Sequence, residues 1–322
     1  MYKEVGLLGL YCESSVHAGS GSDLGVIDLP IQREKPTGYP IFYGSTLKGA
    51  IRSSFDSRRA VTKSLINGVF DEFSFVKDKD ALEEAINIVF GDEENQLASA
   101  ISFTDAKILL FPIKSAKNVF SWITCPNILS RLKRDLEIAN IESGWEIPEI
   151  KKEAVISPKL DIDKFNEESV ILEEYSFETE KNDEVIKIAE WINQNIIASD
   201  DNYWHEKLKE DLIILDNDEF KDFATMSTEV VARTKIDNKT KIVEDGALWY
   251  EENLPPESVL YSLAMVTNIL REETNEIEKK LKSAKDIINF LEQGLQDRIQ
   301  LGGNETIGRG IIRTNFNQGG SH

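Results

Sequence analysis

The sequence predicts an α+β fold, and three observations predict it. A strand-length apolar run, Val5 to Tyr11, opens the chain. Leu47, Ile51 and Phe55 then recur every four residues, the stripe of a buried helix face. Further on, Ile101 to Phe103 and Lys107 to Phe111 read as strands around a turn at Thr104 and Asp105. With 322 residues, 41% of them hydrophobic, the chain can bury a sizeable core as one elaborate domain or two ordinary ones.

The first run leads directly into Ser14, Ser15, Gly19, Ser20 and Gly21, so the first strand is expected to empty into a long flexible loop reaching Pro40. Loops of this length in compact domains are usually functional or disordered. This one carries His17, Asp23 and Asp28, which suit Mg²⁺ binding or proton movement in phosphodiester cleavage. The same residue types also serve as backbone-bonded turn formers.

Ser45 or Thr46 is expected to cap the helix that follows, which sets Lys48 and Arg52 one turn apart on a face away from the stripe. Two cations beside a helix amino terminus make a phosphate cradle, or an ordinary solvated face. Asp80 to Val89 reads as a second amphipathic helix. From about Ile150 to Phe223 the chain is rich in Asp and Glu, with a strand-like piece at Val170 to Leu172 and a helix around Val185 to Ile197. That segment is expected to be inserted rather than part of the core.

Glu251 and Glu252 follow Leu248, Trp249 and Tyr250 and precede Pro255 and Pro256, which places two carboxylates in an apparent loop beside aromatics suited to core packing or base stacking. A helical pattern over Ile277, Leu281, Ile288, Leu291 and Leu295 is weakened by Gly294 and leads into a strand, Arg298 to Leu301. Gly302, Gly303, Gly308 and Gly310 follow, with Arg309 among them, before Ile311 and Ile312. Glycines let backbone NH groups approach a phosphate closely, and they equally suit a mobile hairpin connection. The spacing fits neither a dinucleotide fingerprint nor a Walker loop, so no nucleotide cofactor is expected.

The net charge of −20 opposes nucleic-acid binding if read globally. Locally, Arg33, Lys35, Lys48, Arg52, Arg58, Arg59 and Lys63 face only Glu34 and Asp56, and a second basic run holds Lys107, Lys114, Lys117, Arg131, Lys133 and Arg134. Charge fields are screened within about 8 to 10 Å at physiological salt, so such patches can bind phosphate on an acidic protein. Cys12 and Cys125 have no neighbour at metal-ligand or redox spacing, which argues against a disulfide framework or a zinc site. The opening residues carry neither a signal-peptide pattern nor a span-length apolar stretch, so a cytoplasmic address and no membrane contact are expected.

Four segments converge on one family. HAGSGSDLGVIDLPIQREKPTGYPIFYGSTLKGAIRS (His17 to Ser53), FGDEENQLASAISFTDAKILLFPIKS (Phe90 to Ser115), STEVVARTKID (Ser227 to Asp237) and QLGGNETIGRG (Gln300 to Gly310) resemble the RAMP superfamily. More narrowly, the chain resembles the backbone nuclease subunit of the type III-B CRISPR effector, the Cmr complex.

That resemblance implies a modified RRM-like, ferredoxin-like palm in a single domain over residues 1–322, assembled from roughly 1–60, 98–135 and 225–316. It implies a helical insertion over roughly 60–97 and an acidic thumb or lid insertion over roughly 136–224, with a β-hairpin thumb within about Ile150 to Tyr175. The implied function is a subunit that binds guide crRNA and cleaves complementary target RNA at regular six-nucleotide intervals, stacked with further copies of itself and with other Cmr subunits. Asp28, in LGVID, is the implied essential carboxylate and metal ligand for Mg²⁺ or Mn²⁺, with His17 and Glu251 as companions. Asn253 stands where relatives can carry a tyrosine. Ser45, Lys48, Arg52, Gly302, Gly303, Gly308, Arg309 and Gly310 are the implied RNA-binding set. Two alternatives remain: a non-catalytic guide-binding backbone subunit, and a guide-processing RAMP endoribonuclease. LGVID and STLKGAIRS match the backbone subunit better than a processing enzyme.

Overall fold

The computed structural model describes residues 2–22, 25–59, 73, 75–92, 94, 97–160, 169–198, 201–237, 239–269 and 275–319. The amino-terminal part forms β1 (Glu4–Cys12), β2 (Ile41–Phe42), α1 (Gly44–Arg59), α2 (Lys79–Phe90), β3 (Ile101–Phe103), β4 (Ala106–Lys114), β5 (Phe120–Thr124) and α3 (Pro126–Ile138). The acidic middle forms β6 (Ala154–Ile156), β7 (Ser169–Leu172), β8 (Tyr175–Lys181), α4 (Glu184–Ile192), α5 (Asn202–Asp211), β9 (Leu212–Leu215) and α6 (Asn217–Met226). The remainder forms β10 (Glu229–Ile236), β11 (Val243–Asn253), β12 (Val259–Val266), α7 (Glu276–Lys280), α8 (Ala284–Gly294), β13 (Arg298–Gln300) and β14 (Ile311–Gln318).

Every residue of β1 after Glu4 is buried, as a continuous apolar run requires of a strand covered on both faces. β1 pairs antiparallel with β12 on one side and β14 on the other, and β12 pairs antiparallel with β4. In chain order these four strands lie fourth, first, third, second, with α1 between the first and second and α8 between the third and fourth. The sheet extends on both sides, through β13 at one end and through β5, β9, β6, β8 and β7 at the other.

The predicted stripe on α1 is buried as expected: Leu47, Ile51 and Phe55 have no exposed surface. Each contributes about 1.5–3 kcal/mol by burial. The Phe55 ring meets Phe90 of α2 at 5.3 Å and Phe290 of α8 at 5.6 Å. Gly294, poor for helix propensity, is what lets α8 approach: a Cβ there would lie 2.0 Å from Phe55 Cε1. The capping box of Ser283 and Asp286 divides the expected helical pattern into α7 and α8. At the start of α1 neither Ser45 nor Thr46 is the cap. The helix opens at Gly44, whose NH donates to Asp105 Oδ1 at 2.8 Å, while the Thr46 hydroxyl is engaged by Gln32 Nε2 at 3.0 Å.

The acidic middle is not an appendage. β9 pairs parallel with β5 and antiparallel with β6, so the segment continues the main sheet, and Leu212 to Leu215 are wholly buried. A π-helical turn, Asn193–Ile197, also packs on the core: Asn195 accepts from Asn315 and Asn317 of β14 at 2.9 and 2.7 Å. Composition misled here because in β8, α4 and α6 the charges lie on the solvent side of elements whose other side is apolar, while in α5 Asp211 is buried against Lys207.

The expected hairpin between Ile150 and Tyr175 does not stand free either. β7 and β8 pair at the edge of the main sheet, and residues 161–168 lie outside the described ones. The hairpin that does stand apart is β10–β11, a separate two-stranded sheet. It exposes Val230, Ile236, Ile242, Val243, Leu248 and Tyr250. Among the described residues, no helix is long and apolar enough to cross a membrane.

Candidate functional site

The described residues of the loop after β1 are pinned by backbone hydrogen bonds. Val16 and Leu254 exchange two backbone hydrogen bonds of 2.9 Å, and Gln32 NH donates to Ala18 C=O at 2.8 Å. Leu29 NH donates to Tyr250 C=O at 3.1 Å and Glu252 NH donates to Leu29 C=O at 3.0 Å. The loop therefore runs as extended pieces laid against the carboxyl end of β11, the root of the free hairpin.

That pairing gathers the three expected catalytic residues. Asp28 is exposed, and its Oδ2 accepts from the Tyr250 backbone NH at 2.7 Å. His17 Nδ1 lies 2.7 Å from Glu252 C=O. A carbonyl can only accept, so Nδ1 carries the proton and, in the neutral ring, Nε2 is left as the basic nitrogen. Glu251 sits between these contacts at the end of β11, buried to 4% exposure in a strand rather than the expected loop. Asp23, the other aspartate of the loop, lies outside the described residues.

Glu251 is tightly held. Its Oε1 accepts from Asn304 Nδ2 at 2.6 Å and from Arg233 at 3.3 Å, with Arg309 Nη1 at 3.8 Å. Burial alone would raise its carboxyl, but the Asn304 hydrogen bond, the His17 ring and Arg233 hold it below the usual carboxylate range. A carboxylate held ionised in this way is a poor general acid and a weak base at neutral pH. Its contacts tie the end of β11 to Arg233 of β10 and to Asn304 and Arg309 of the glycine loop.

The glycine loop supports the site from below instead of offering its amides. Gly303 NH donates to His17 C=O and Gly310 NH to Ser15 C=O, both at 2.9 Å, and Gly308 NH donates to Glu305 C=O at 2.9 Å. Those three amides are spent within the chain, so the expected phosphate grip through them does not match the structure. Gly302 is required for another reason. Its φ is +85°, and a Cβ there would lie 2.4 Å from the His17 carbonyl oxygen. The loop wraps His17 and presents Asn304 and Arg309 to Glu251.

Residues 10–313 match the family model for the RAMP superfamily. The chain belongs to the RAMP superfamily. This RAMP protein is 37% identical over 324 residues to the CRISPR system Cmr endoribonuclease Cmr4 of Pyrococcus furiosus, with 98% of each chain covered. A crystal structure of oligomeric Cmr4 from the same organism is similar at a TM-score of 0.70 and 32% identity, covering 99% of each chain. A chain in the apo state of a type III-B Cmr-beta complex is similar at a TM-score of 0.64 and 25% identity, covering 97% of this chain and 96% of that one.

Elsewhere on this RAMP protein, a groove along α1 and α2 is lined by the expected Ser45, Lys48 and Arg52, and also by Glu83, Asp92 and Glu94. Partial burial, with the nearby Arg52 charge second, lowers the Lys48 ammonium from its ordinary value. Arg52 already donates to Gly91 C=O and, at 2.7 Å, to Asn87 Oδ1, so it braces the groove wall more than it offers a free cation. The second basic run is largely neutralised. Lys107 and Arg134 lie 2.5 and 3.8 Å from Asp135, Arg131 is 3.0 Å from Glu34, and Lys133 is 2.9 Å from Glu146. The side chains of Arg58 and Arg59 and all of Lys63 lie outside the described residues.

Sequence reading missed Arg33 and Glu252 as a pair, and Asn304 and Arg233 as partners of Glu251. Glu252 is buried; its Oε1 accepts from the Arg33 guanidinium and from Thr228 Oγ1 at 2.7 Å, and its Oε2 accepts from Ile31 NH at 3.0 Å. The one available signal was the Glu251–Glu252 doublet itself, since consecutive strand carboxylates face opposite sides and need separate partners. Asn253 is wholly buried, so it contributes no exposed group.

Proposed function

We propose that this chain is a guide-RNA-binding backbone subunit of a type III-B CRISPR interference complex, which cleaves target RNA complementary to the guide at regular six-nucleotide intervals. The observation that carries this reading is the exposed Asp28 carboxylate, anchored by one oxygen to the Tyr250 NH at the root of a free-standing hairpin, on the same strand end that bears Glu251 and holds His17 through the Glu252 carbonyl. It is supported by the Pyrococcus relative, an endoribonuclease by name, aligned over nearly its whole length.

In this reading β1, β4, β12 and β14 with α1 and α8 are the core of an RRM-like, ferredoxin-like palm. The thumb is β10–β11, not the segment between Ile150 and Tyr175. The guide crRNA backbone follows the α1 groove past Ser45 and Lys48, and base pairing, not this protein, reads sequence. Further copies of the chain stack head to tail, a heterologous and non-closing arrangement, alongside other Cmr subunits in the cytoplasm.

Cleavage uses the target's own 2′-OH, which attacks the adjacent phosphorus and expels the 5′-oxygen of the next nucleotide, leaving a cyclic phosphate. Asp28, with one oxygen fixed by Tyr250 NH, presents the other to the reacting strand, where it accepts or orients the 2′-OH proton. Arg309 and Arg233, beside Glu251, add positive charge as the phosphate becomes more negative.

No cluster of three acidic, histidine or cysteine side chains able to hold a metal occurs among the described residues. The residues present still fit Mg²⁺ or Mn²⁺ in the manner of a site completed by substrate, because such ions often take one or two carboxylates plus phosphate oxygens and water. Asp28 is the residue that would hold it, and the ion would supply charge neutralisation at the phosphate.

Reconstitution with guide RNA and mapping of target cuts tests this reading. Cuts spaced six nucleotides apart, present with Mg²⁺ or Mn²⁺ and lost with chelator, are expected. Target that binds but stays intact would overturn it.

A further inference from the structure

We infer that Arg33 and Glu252 are positioning residues that lock the Asp28-bearing loop to the root of the β10–β11 hairpin, so that the hairpin's placement sets where Asp28 sits. The inference rests on the reading of Asp28 as the cleaving carboxylate.

The Arg33 guanidinium reaches three separate segments. It donates to Gly38 C=O at 2.6 Å within its own loop, to Ala224 and Thr225 C=O at 3.3 and 3.2 Å at the end of α6, and to Glu252 Oε1 on β11. Glu252 is the other half of the lock. Oε1 also accepts from Thr228 at the entry to β10, and Oε2 accepts from Ile31 NH, three residues after Asp28. Ser15 Oγ donates to Glu229 Oε2 at 2.7 Å on the other strand, so both strands of the hairpin are tied to the loop after β1.

The chemistry of the pair points to geometry over simple stability. Arg33 is only about one-fifth exposed and Glu252 is 3% exposed by side chain, and partly buried ion pairs add little net stability over apolar replacements. What a five-donor planar fork does supply is fixed direction to several acceptors at once, which a lysine cannot reproduce. Tyr250 NH to Asp28 and Glu252 to Ile31 bracket the loop on both sides of Leu29, so a shift of the hairpin root carries Asp28 with it. The same hairpin exposes Leu248 and Tyr250. RNA engaged there is thereby linked to the reacting carboxylate.

The test compares wild type, Arg33→Ala, Arg33→Lys and the double variant Arg33→Met/Glu252→Leu in complexes assembled with guide RNA. The double variant removes both charges together, which spares stability where a single truncation would leave a buried charge unpaired. Amide exchange over residues 27–31 of the unassembled chain is expected to speed up in Arg33→Ala and the double variant, with β1 and α1 unchanged. Single-turnover cleavage of saturating target is expected to fall about 100-fold, the cost of an ångström-scale misplacement, while target Kd stays within about threefold. Arg33→Lys falls between. A double variant that cleaves at the wild-type rate, or unchanged exchange over 27–31, overturns the inference. Wild-type complex that leaves target intact, while the variants still speed loop exchange, overturns the nuclease reading and leaves the lock standing.

Discussion

The Asp28 carboxylate accepts a hydrogen bond from the Tyr250 backbone NH at 2.7 Å, and among the described residues no side chain donates to it. Residues 222 positions apart in sequence are thus joined by a contact that depends on the path of β11 and on nothing about the identity of residue 250. The tyrosine ring itself is exposed. Anchoring of the carboxylate and contact with RNA are therefore separable at this one residue.

Tyr250→Ala should keep Asp28 in place and remove only the exposed ring. Target binding should weaken by about 1–3 kcal/mol if a base stacks there, while the cleavage rate per bound target stays near wild type. Titration of target against the assembled complex, with a parallel single-turnover assay, separates the two.

Glu251→Ala removes the acceptor shared by Asn304, Arg233 and Arg309 in a buried position. Leaving those donors unmatched should cost about 2–4 kcal/mol, toward the lower side of what breaking a buried pair costs because the arginines keep some solvent. Urea denaturation measures it. Cleavage should fall too, with the loss exceeding the unfolded fraction, since the glycine loop that wraps His17 loses its tie to the strand end through Asn304 and Arg309.

Gly302→Ala and Gly308→Ala should differ although both glycines have positive φ. At Gly302 a Cβ collides with the His17 carbonyl, whereas at Gly308 nothing lies within 4 Å. The first should cost about 2–4 kcal/mol and displace His17, and the second about 1 kcal/mol of backbone strain alone. Paired melts report the order.

Glu257 gives a pH signature. Burial raises its carboxyl to about 7, only partly offset by Arg313, and its Oε2 is buried with no hydrogen-bond partner among the described residues. The folded state holds this proton more tightly than the unfolded chain does. Its contribution is therefore fully present below the unfolded carboxylate pKa and is lost as pH rises from about 4.5 to about 7. Glu257→Gln should raise stability at pH 8 and change little at pH 4, as thermal melts across that range will show.

Local patterns were legible in the sequence: the α1 stripe, the β1 run and the strands around Thr104 each follow from spacing alone. What escaped was pairing across distance. The acidic middle read as an insertion because its charges advertise the solvent faces of β8, α4 and α6, while the short apolar runs that extend the sheet, such as Leu212 to Leu215, span only four residues. The free hairpin was missed because nothing local says that β10 and β11 lack a third strand. In the site, the residue types at 17, 28 and 251 could be nominated, but their convergence on one strand end could not. The Arg33–Glu252 pair spans 219 positions, and its one local mark, the Glu251–Glu252 doublet, says nothing of the partner. The glycine loop was the opposite case, where a legible motif suggested a ligand grip and the structure spends the Gly303, Gly308 and Gly310 amides on the chain itself.

The most direct test replaces Asp28. Asp28→Ala and Asp28→Asn lie on the surface and should fold normally, bind guide and target as wild type does, and lower target cleavage by at least about 100-fold at every site. Cleavage by either variant at the wild-type rate, on target shown to be bound, would contradict the account.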